Sequence, residues 1–208
     1  MRENLTKVLE VLTLAEKIKF EMRHSWLSNG RQESVAEHTW RMSLMAVLLE
    51  PYLEQRVDMA KLLKMIIIHD LVEAEAGDIP AFDIVTEEIK LMKQQREQQA
   101  IRNLRDQLRE PTGQEIYDLW YEFEEKETYE AKVANALDKL EVQIQHNHAD
   151  MNTWIEIERE FVFLMGRHTA FDKGLEEFRA LIEEMAVLKM EAAGICTSTV
   201  KLGMDAKL

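Results

Sequence analysis

The sequence predicts an all-α fold, a compact bundle of several helices, on three observations. Only 7 glycines and 3 prolines occur among 208 residues, which leaves too few turn residues for a fold built of short strands. Apolar positions recur with a helical period along most of the chain. Several of these periodic segments begin at a residue that can cap a helix N-terminus.

Eight segments meet these criteria, and a loop is expected between the first and the second. Ser34 with Glu37, and Thr112 with Glu115, match the Ser/Thr-x-x-Glu capping box that opens a helix. Gly77 is a natural helix stop because glycine tolerates the left-handed conformation. The predicted helices are residues 4–22, 34–50, 58–77 and 86–108, two that open at Thr112 and Thr128, and residues 153–165 and 172–193.

The composition is that of one globular domain. Hydrophobic residues make up 46% of the chain and charged residues 31%, which is not the signature of a disordered protein. No repeat, low-complexity run or linker divides the sequence. Residues 1–194 are therefore expected to form a single domain, followed by a C-terminal tail of residues 195–208.

Charge and cysteine content exclude several classes of partner. The 39 acidic and 26 basic side chains give a net charge of −13, which argues against a nucleic-acid partner, because a polyanion needs a basic surface. No apolar run approaches the roughly 18 residues of a membrane span, so no membrane partner is expected. The single cysteine, Cys196, allows no internal disulfide, and this indicates a reducing, cytoplasmic setting.

Four residues are candidate metal ligands. His69 and Asp70 follow an entirely apolar stretch, residues 65–68, so both are expected to be buried. Burying a carboxylate is costly unless it is paired or bound to a metal, and a histidine nitrogen and an aspartate oxygen can share one ion. His38 and Asp138 also lie on predicted helices with apolar flanks. Taken singly, each residue can equally be structural: a hydrogen-bonded histidine, a buried His–Asp pair, or an aspartate paired with a nearby cation.

The order His38, His69 with Asp70, then a distant Asp138 resembles the HD-domain metal-dependent phosphohydrolases, and most closely their bacterial 5′-deoxynucleotidase branch. The resemblance covers roughly the first 150 residues and rests on the stretches 23–40, 68–80 and 134–141. It implies a helical HD-domain bundle with the metal site between helices. The four residues would then bind one divalent ion, such as Mn²⁺, Co²⁺ or Mg²⁺.

The same resemblance assigns roles to further residues. It marks Glu73 and Asp78 as catalytic carboxylates and Arg23 as the contact to phosphate. In the deoxynucleotidase branch a tryptophan commonly follows that arginine and crowds the sugar 2′ position, whereas here His24 follows and Trp26 comes two residues later. His24 and Trp26 are therefore candidate substrate-binding residues, and no preference for deoxyribose over ribose is predicted.

The expected function is that of a metal-dependent phosphomonoesterase that hydrolyses 5′-(deoxy)nucleoside monophosphates. Two alternatives are kept. The same site would serve another phosphoester, such as a nucleoside triphosphate, a cyclic nucleotide or a guanosine tetraphosphate alarmone, or the chain would be a metal-binding regulatory module without turnover. The polar helix of residues 86–108, with the family resemblance, suggests a homodimer. His146 and His148 are expected at a surface or interface, and Glu75 in solvent.

Overall fold

A computed structural model describes residues 1–80, 83 and 86–205, with side chains described through residue 201. Within these residues the regular secondary structure is helical apart from two short strands, which confirms the all-α prediction. The strands are β1 (Met22–Trp26) and β2 (Gln32–Ser34). The helices are α1 (Arg2–Ala15), α2 (Val35–Leu49), α3 (Met59–His69), α4 (Glu73–Ala76), α5 (Glu87–Leu108), α6 (Thr112–Glu125), α7 (Tyr129–His148), α8 (Glu156–Phe161), α9 (Gly166–Thr169), α10 (Lys173–Ala192) and α11 (Thr197–Asp205), the last of which lies in the predicted tail.

The helix N-termini follow the predicted capping signals with two exceptions. The helix predicted from residue 153 begins instead at Glu156 and ends at Phe161, because residues 151–153 form a 3₁₀ turn. Ser34 accepts a hydrogen bond from the Glu37 backbone while the Glu37 side chain accepts one from Ser34, so this predicted capping box is present. The box predicted at Thr112 is wrong, because α6 already begins at that residue and Pro111 before it makes no side-chain cap. Four further helices begin after a capping residue whose side-chain oxygen accepts a hydrogen bond from the backbone N–H three residues later. These capping residues are Asp58, Thr86, Thr128 and Asp172.

The loop predicted between the first two helices is in fact a β-hairpin. The first helix ends at Ala15 and continues as a short 3₁₀ turn, residues 16–19, instead of reaching residue 22. β1 and β2 then pair antiparallel, with Met22 opposite Ser34 and Trp26 opposite Gln32. Strands of five and three residues are too short to show an alternating pattern in the sequence. The hairpin brings β1 against α7.

The single helix predicted for residues 58–77 is divided in two. α3 ends at His69, and the chain passes through Asp70 into the separate short helix α4. Hydrogen bonds from Leu71 to Ile68 and from Glu73 to Asp70 span three residues instead of four, so the chain tightens there. Gly77, at φ +78°, ends α4 as predicted.

The main core lies where α2, α3, α6 and α7 pack together. α3 and α7 contribute many of the fully buried apolar side chains, among them Leu62, Met65, Ile66, Leu137 and Leu140. α7 is buried on most of its circumference, which places it at the centre of the bundle. No helix in the described part of the chain is both long and apolar enough to cross a membrane.

Candidate active site

Four of the residues selected from the sequence meet where α2, α3 and α7 pack. Nε2 of His38 lies 3.3 Å from an oxygen of Asp138 and 3.8 Å from an oxygen of Asp70. Nε2 of His69 lies 3.1 Å from the same Asp70 oxygen. Donor atoms of His38, His69 and Asp138 all lie within 4.8 Å of one another. The packing of three helices therefore joins residues that are 100 positions apart in sequence.

Each of the two histidines uses Nδ1 in a hydrogen bond, which leaves Nε2 for a cation. Nδ1 of His69 donates to the carbonyl oxygen of Ile66 at 2.7 Å, so the neutral ring carries its proton there. Nδ1 of His38 is hydrogen-bonded to Glu141. Both Nε2 atoms are buried and have no hydrogen-bond partner among the described residues. Two unpartnered imidazole nitrogens beside two carboxylates fit a divalent metal ion.

The electrostatics of the cluster favour ionised carboxylates. Burial raises the pKa of Asp138, but Lys139 and His38 outweigh it and hold that pKa well below its usual value. The Lys139 ammonium lies 2.7 Å from Asp138, so the structural partner considered in the sequence is present as well. Asp70 behaves similarly, because His69 and Arg23 lower its pKa against the effect of burial.

Glu141 is a site residue that the sequence reasoning missed. It is fully buried and contacts His38 on one side. On the other side it accepts a hydrogen bond from Nε of Arg41 at 2.6 Å and forms an ion pair with Nη2 of Arg41 at 2.5 Å. His38 and Arg41 lower the pKa of Glu141 although burial raises it. The available signal was its position three residues after Asp138, on the same helix face. Glu141 therefore orients the His38 ring through Nδ1 of His38.

Replacing Glu141 with glutamine tests this orienting role. We expect Glu141→Gln to weaken divalent-metal binding by about 10- to 100-fold, because the carboxylate that orients His38 and increases its basicity is lost. Calorimetric titration of the metal-free protein with Mn²⁺ measures the change. Glu127→Gln, at an exposed position just before α7, is the matched control and should bind like the wild type. Equal affinity in both variants would show that Glu141 has no such role.

A cavity of about 510 Å³ opens beside the histidines and aspartates, within the size range of small-ligand sites. Seven of the nine residues selected from the sequence line it: Arg23, His24, His69, Asp70, Glu73, Asp78 and Asp138. His38 is completely buried behind the lining. Trp26 is not part of the lining, and instead its ring contacts His24 at a centroid distance of 4.7 Å.

Arg23, Glu73 and Asp78 line the cavity beside the His/Asp cluster. The Arg23 guanidinium lies 3.3 Å from Asp70. Glu73 is only 6% exposed, and burial, Asp70 and Asp78 raise its pKa well above the usual value. Burial raises the pKa of Asp78 too, with Arg23 opposing. A carboxyl group whose pKa is raised toward neutrality can both hold and accept a proton, which suits acid–base chemistry.

Of the remaining expectations from the sequence, some are confirmed and one is wrong. Glu75 is exposed, as expected, and binds Asn103. His148 is exposed, but the surface or interface position expected for His146 is wrong, because His146 is 7% exposed and lines the cavity. The helical period at residues 143–148 gave no sign that β1 covers this part of α7. Glu158, which contacts His24 and His146, was also missed.

A helical bundle that gathers two histidines and two aspartates around one point beside a cavity defines a metal-binding helical domain. The family model described as "HD domain" matches residues 15–179. The chain belongs to the HD domain family, which confirms the resemblance seen in the sequence.

Named relatives agree with this assignment. A Dictyostelium discoideum protein named 5′-deoxynucleotidase HDDC2 is 33% identical over 148 residues, which cover 68% of this chain and 76% of the relative. The Homo sapiens protein of the same name is 33% identical over 141 residues, 66% of either chain. A crystal structure from Magnetospirillum magnetotacticum, described as a predicted metal-dependent phosphohydrolase, has a TM-score of 0.77 at 29% identity and covers 90% of this chain and 97% of its own.

Proposed function

We propose that this chain is a metal-dependent phosphomonoesterase that hydrolyses 5′-(deoxy)nucleoside monophosphates to nucleoside and phosphate. The observation that carries the proposal is the pair of buried, unpartnered Nε2 atoms of His38 and His69 beside Asp70 and Asp138. Relatives named 5′-deoxynucleotidase support the choice of substrate.

In this proposal His38, His69, Asp70 and Asp138 bind one divalent ion, of which Mn²⁺, Co²⁺ and Mg²⁺ suit a mixed nitrogen and oxygen ligand set. When bound, such an ion supplies Lewis acidity toward a phosphate oxygen and toward the attacking water. The four side chains would hold it beside the cavity, and three of them, His38, His69 and Asp138, are buried.

Arg23 binds the phosphate in this proposal. Its side chain is 14% exposed and positively charged, and Asp70 and Asp78 raise its pKa against the effect of burial. A planar guanidinium can give two parallel hydrogen bonds to a phosphate, which fixes the orientation of the phosphorus. Trp120 and Phe123, which also line the cavity, offer apolar surface to the nucleoside.

Glu73 and Asp78 carry the proton transfers. Hydrolysis requires one group to take a proton from the attacking water and another to give a proton to the 5′-oxygen of the leaving nucleoside. The two carboxyl groups share the cavity lining, and each has a raised pKa. Each carboxyl group can therefore hold or accept a proton beside the reacting oxygens.

A second candidate function has a specific observation in its favour. Basic residues are sparse near the sequence motifs, but folding brings four cations besides Arg23 to the cavity: Lys93, Lys126, Lys139 and Arg167. Further phosphates on the substrate would find partners there. A nucleoside triphosphate is therefore the alternative substrate to include in any assay.

Phosphate release from ribo- and deoxynucleotides, as 5′-monophosphates and 5′-triphosphates, tests both candidates. The protein is stripped with a chelator, and Mn²⁺, Co²⁺, Mg²⁺ or Zn²⁺ is restored singly. We expect turnover of monophosphates that requires an added metal, because the ligand set cannot act without its ion. Turnover of triphosphates alone would favour the second candidate, and no turnover with any metal would favour a regulatory module.

We also propose that the chain acts in the cytoplasm as a homodimer. One face of α2 supports a self-association surface, since Trp40, Leu44, Val47 and Leu48 recur with a helical period and are 41–67% exposed. A second copy would cover this apolar face through a two-fold contact, the commonest symmetry of such assemblies.

A further inference from the structure

A second group of polar residues lines the cavity, outside the His/Asp cluster. The carboxylate of Glu158, near the beginning of α8, accepts a hydrogen bond from Nδ1 of His24 at 2.9 Å and lies 3.6 Å from Nε2 of His146. Its other oxygen accepts the backbone N–H of Ile155 at 2.9 Å. Glu158 is only 3% exposed. These contacts fix the position of the buried Glu158 carboxylate, and the carboxylate in turn fixes the orientation of the His24 ring.

His24 is held on two sides and meets the cavity on a third. Besides the bond to Glu158, its ring packs at right angles against Trp26, at a centroid distance of 4.7 Å. Its side chain lines the cavity and keeps 25% of its area exposed. His24 therefore presents a polar ring to a bound molecule in a defined orientation.

This wall of the cavity suits a different chemical group from the one that suits Arg23. Arg23 precedes His24 in β1 and carries the positive charge that attracts a phosphate. Glu158 adds a buried negative charge behind His24, which disfavours a phosphate there. A sugar hydroxyl is uncharged and can donate and accept hydrogen bonds, so it fits an imidazole. The stretch of chain that follows Glu158 adds apolar side chains to the lining: Phe161, Leu164 and Met165.

We propose that His24, oriented by Glu158, forms a hydrogen bond with the 3′-hydroxyl of the nucleotide sugar and so selects nucleotides that carry it. The inference rests on the proposed phosphomonoesterase function, and the 3′-hydroxyl is the one free hydroxyl of a deoxynucleoside 5′-monophosphate. His24 is thus a specificity-determining residue, and Glu158, which acts through it, is a positioning residue. An analogue without the hydroxyl loses this hydrogen bond, so its kcat/KM should be lower.

The test compares 2′-deoxynucleoside with 2′,3′-dideoxynucleoside 5′-monophosphates. For the wild type we expect kcat/KM to favour the deoxynucleotide by about tenfold, the usual effect of one lost hydrogen bond. His24→Phe keeps an aromatic ring against Trp26 but removes both ring nitrogens, so it should abolish this preference by raising KM for the deoxynucleotide. Glu158→Gln should reduce the preference in the same way, and a thermal melt checks that it still folds. His148→Phe, at an exposed histidine, should keep the wild-type preference.

Two outcomes would overturn the inference: equal kcat/KM for both nucleotides in the wild type, or a preference that survives His24→Phe. Calorimetric titration of both nucleotides into the metal-free protein measures the hydroxyl dependence without turnover. If the wild type releases no phosphate from any nucleotide, the proposed function fails, and the calorimetry still decides whether His24 contacts the hydroxyl.

Discussion

Asp70→Asn is expected to abolish divalent-metal binding and to reduce phosphate release by about a thousandfold or more. One oxygen of Asp70 lies 3.1 Å from Nε2 of His69, 3.8 Å from Nε2 of His38 and 3.3 Å from the Arg23 guanidinium. The substitution removes the negative charge that these three groups share, while the side chain keeps its shape. A cation between the histidines then loses an anionic ligand, and Arg23 loses the partner that holds it.

Metal content after dialysis against Mn²⁺, and the rise in melting temperature on adding Mn²⁺, measure the first effect. A ligand that binds the folded state alone raises its stability, so a variant that binds no metal should show no rise. Asp118→Asn removes an exposed carboxylate from α6 and should behave like the wild type on both counts. Full metal content in Asp70→Asn would exclude Asp70 as a ligand.

Glu73→Gln is expected to lower kcat by about 100- to 10,000-fold, the range usual for loss of an acid–base group, with metal content unchanged. The Glu73 carboxyl lines the cavity, is buried, and has an oxygen with no hydrogen-bond partner among the described residues. Glutamine fills the same space but neither takes up nor releases a proton near neutral pH. The chemical step therefore loses a proton carrier while the residues around the metal position stay in place.

Glu75→Gln is the matched control, since Glu75 lies on the same short helix but is exposed and bonded to Asn103. Its kcat should match the wild type. Steady-state kinetics at saturating Mn²⁺, with metal analysis of each variant, distinguish lost chemistry from lost metal. If Glu73→Gln turns over normally, the catalytic assignment is wrong, whereas a parallel loss of metal would make Glu73 part of the metal site instead.

The helices and their N-terminal caps could be predicted because their causes are local. Ser34 and Glu37 bond to each other across three positions, and Asp58 caps α3 within the same distance. The division of α3 from α4 was not visible, because residues 71–76 continue an apolar pattern compatible with one helix. The hairpin was missed for a related reason, since short strands give little periodic signal.

The candidate site also combines residues that the sequence could indicate with residues that only folding brings together. The order of His38, His69, Asp70 and Asp138, together with the residues that flank them, is enough to indicate the family. Glu141 gave only a weak signal, because its role depends on His38, which lies 103 positions away. Glu158 gave none, since the hairpin brings His24 to it across 134 positions.

The sequence by itself determined the all-α class, most helix beginnings and the residue types of the candidate metal site. These follow from side-chain period and capping, which act within about four positions along the chain. Only the tertiary structure decided which nitrogen of each histidine faces the cluster, that Trp26 lies outside the cavity, and that five cations line it. Those features depend on how α2, α3, α7 and the hairpin pack, and packing joins side chains regardless of their separation in sequence.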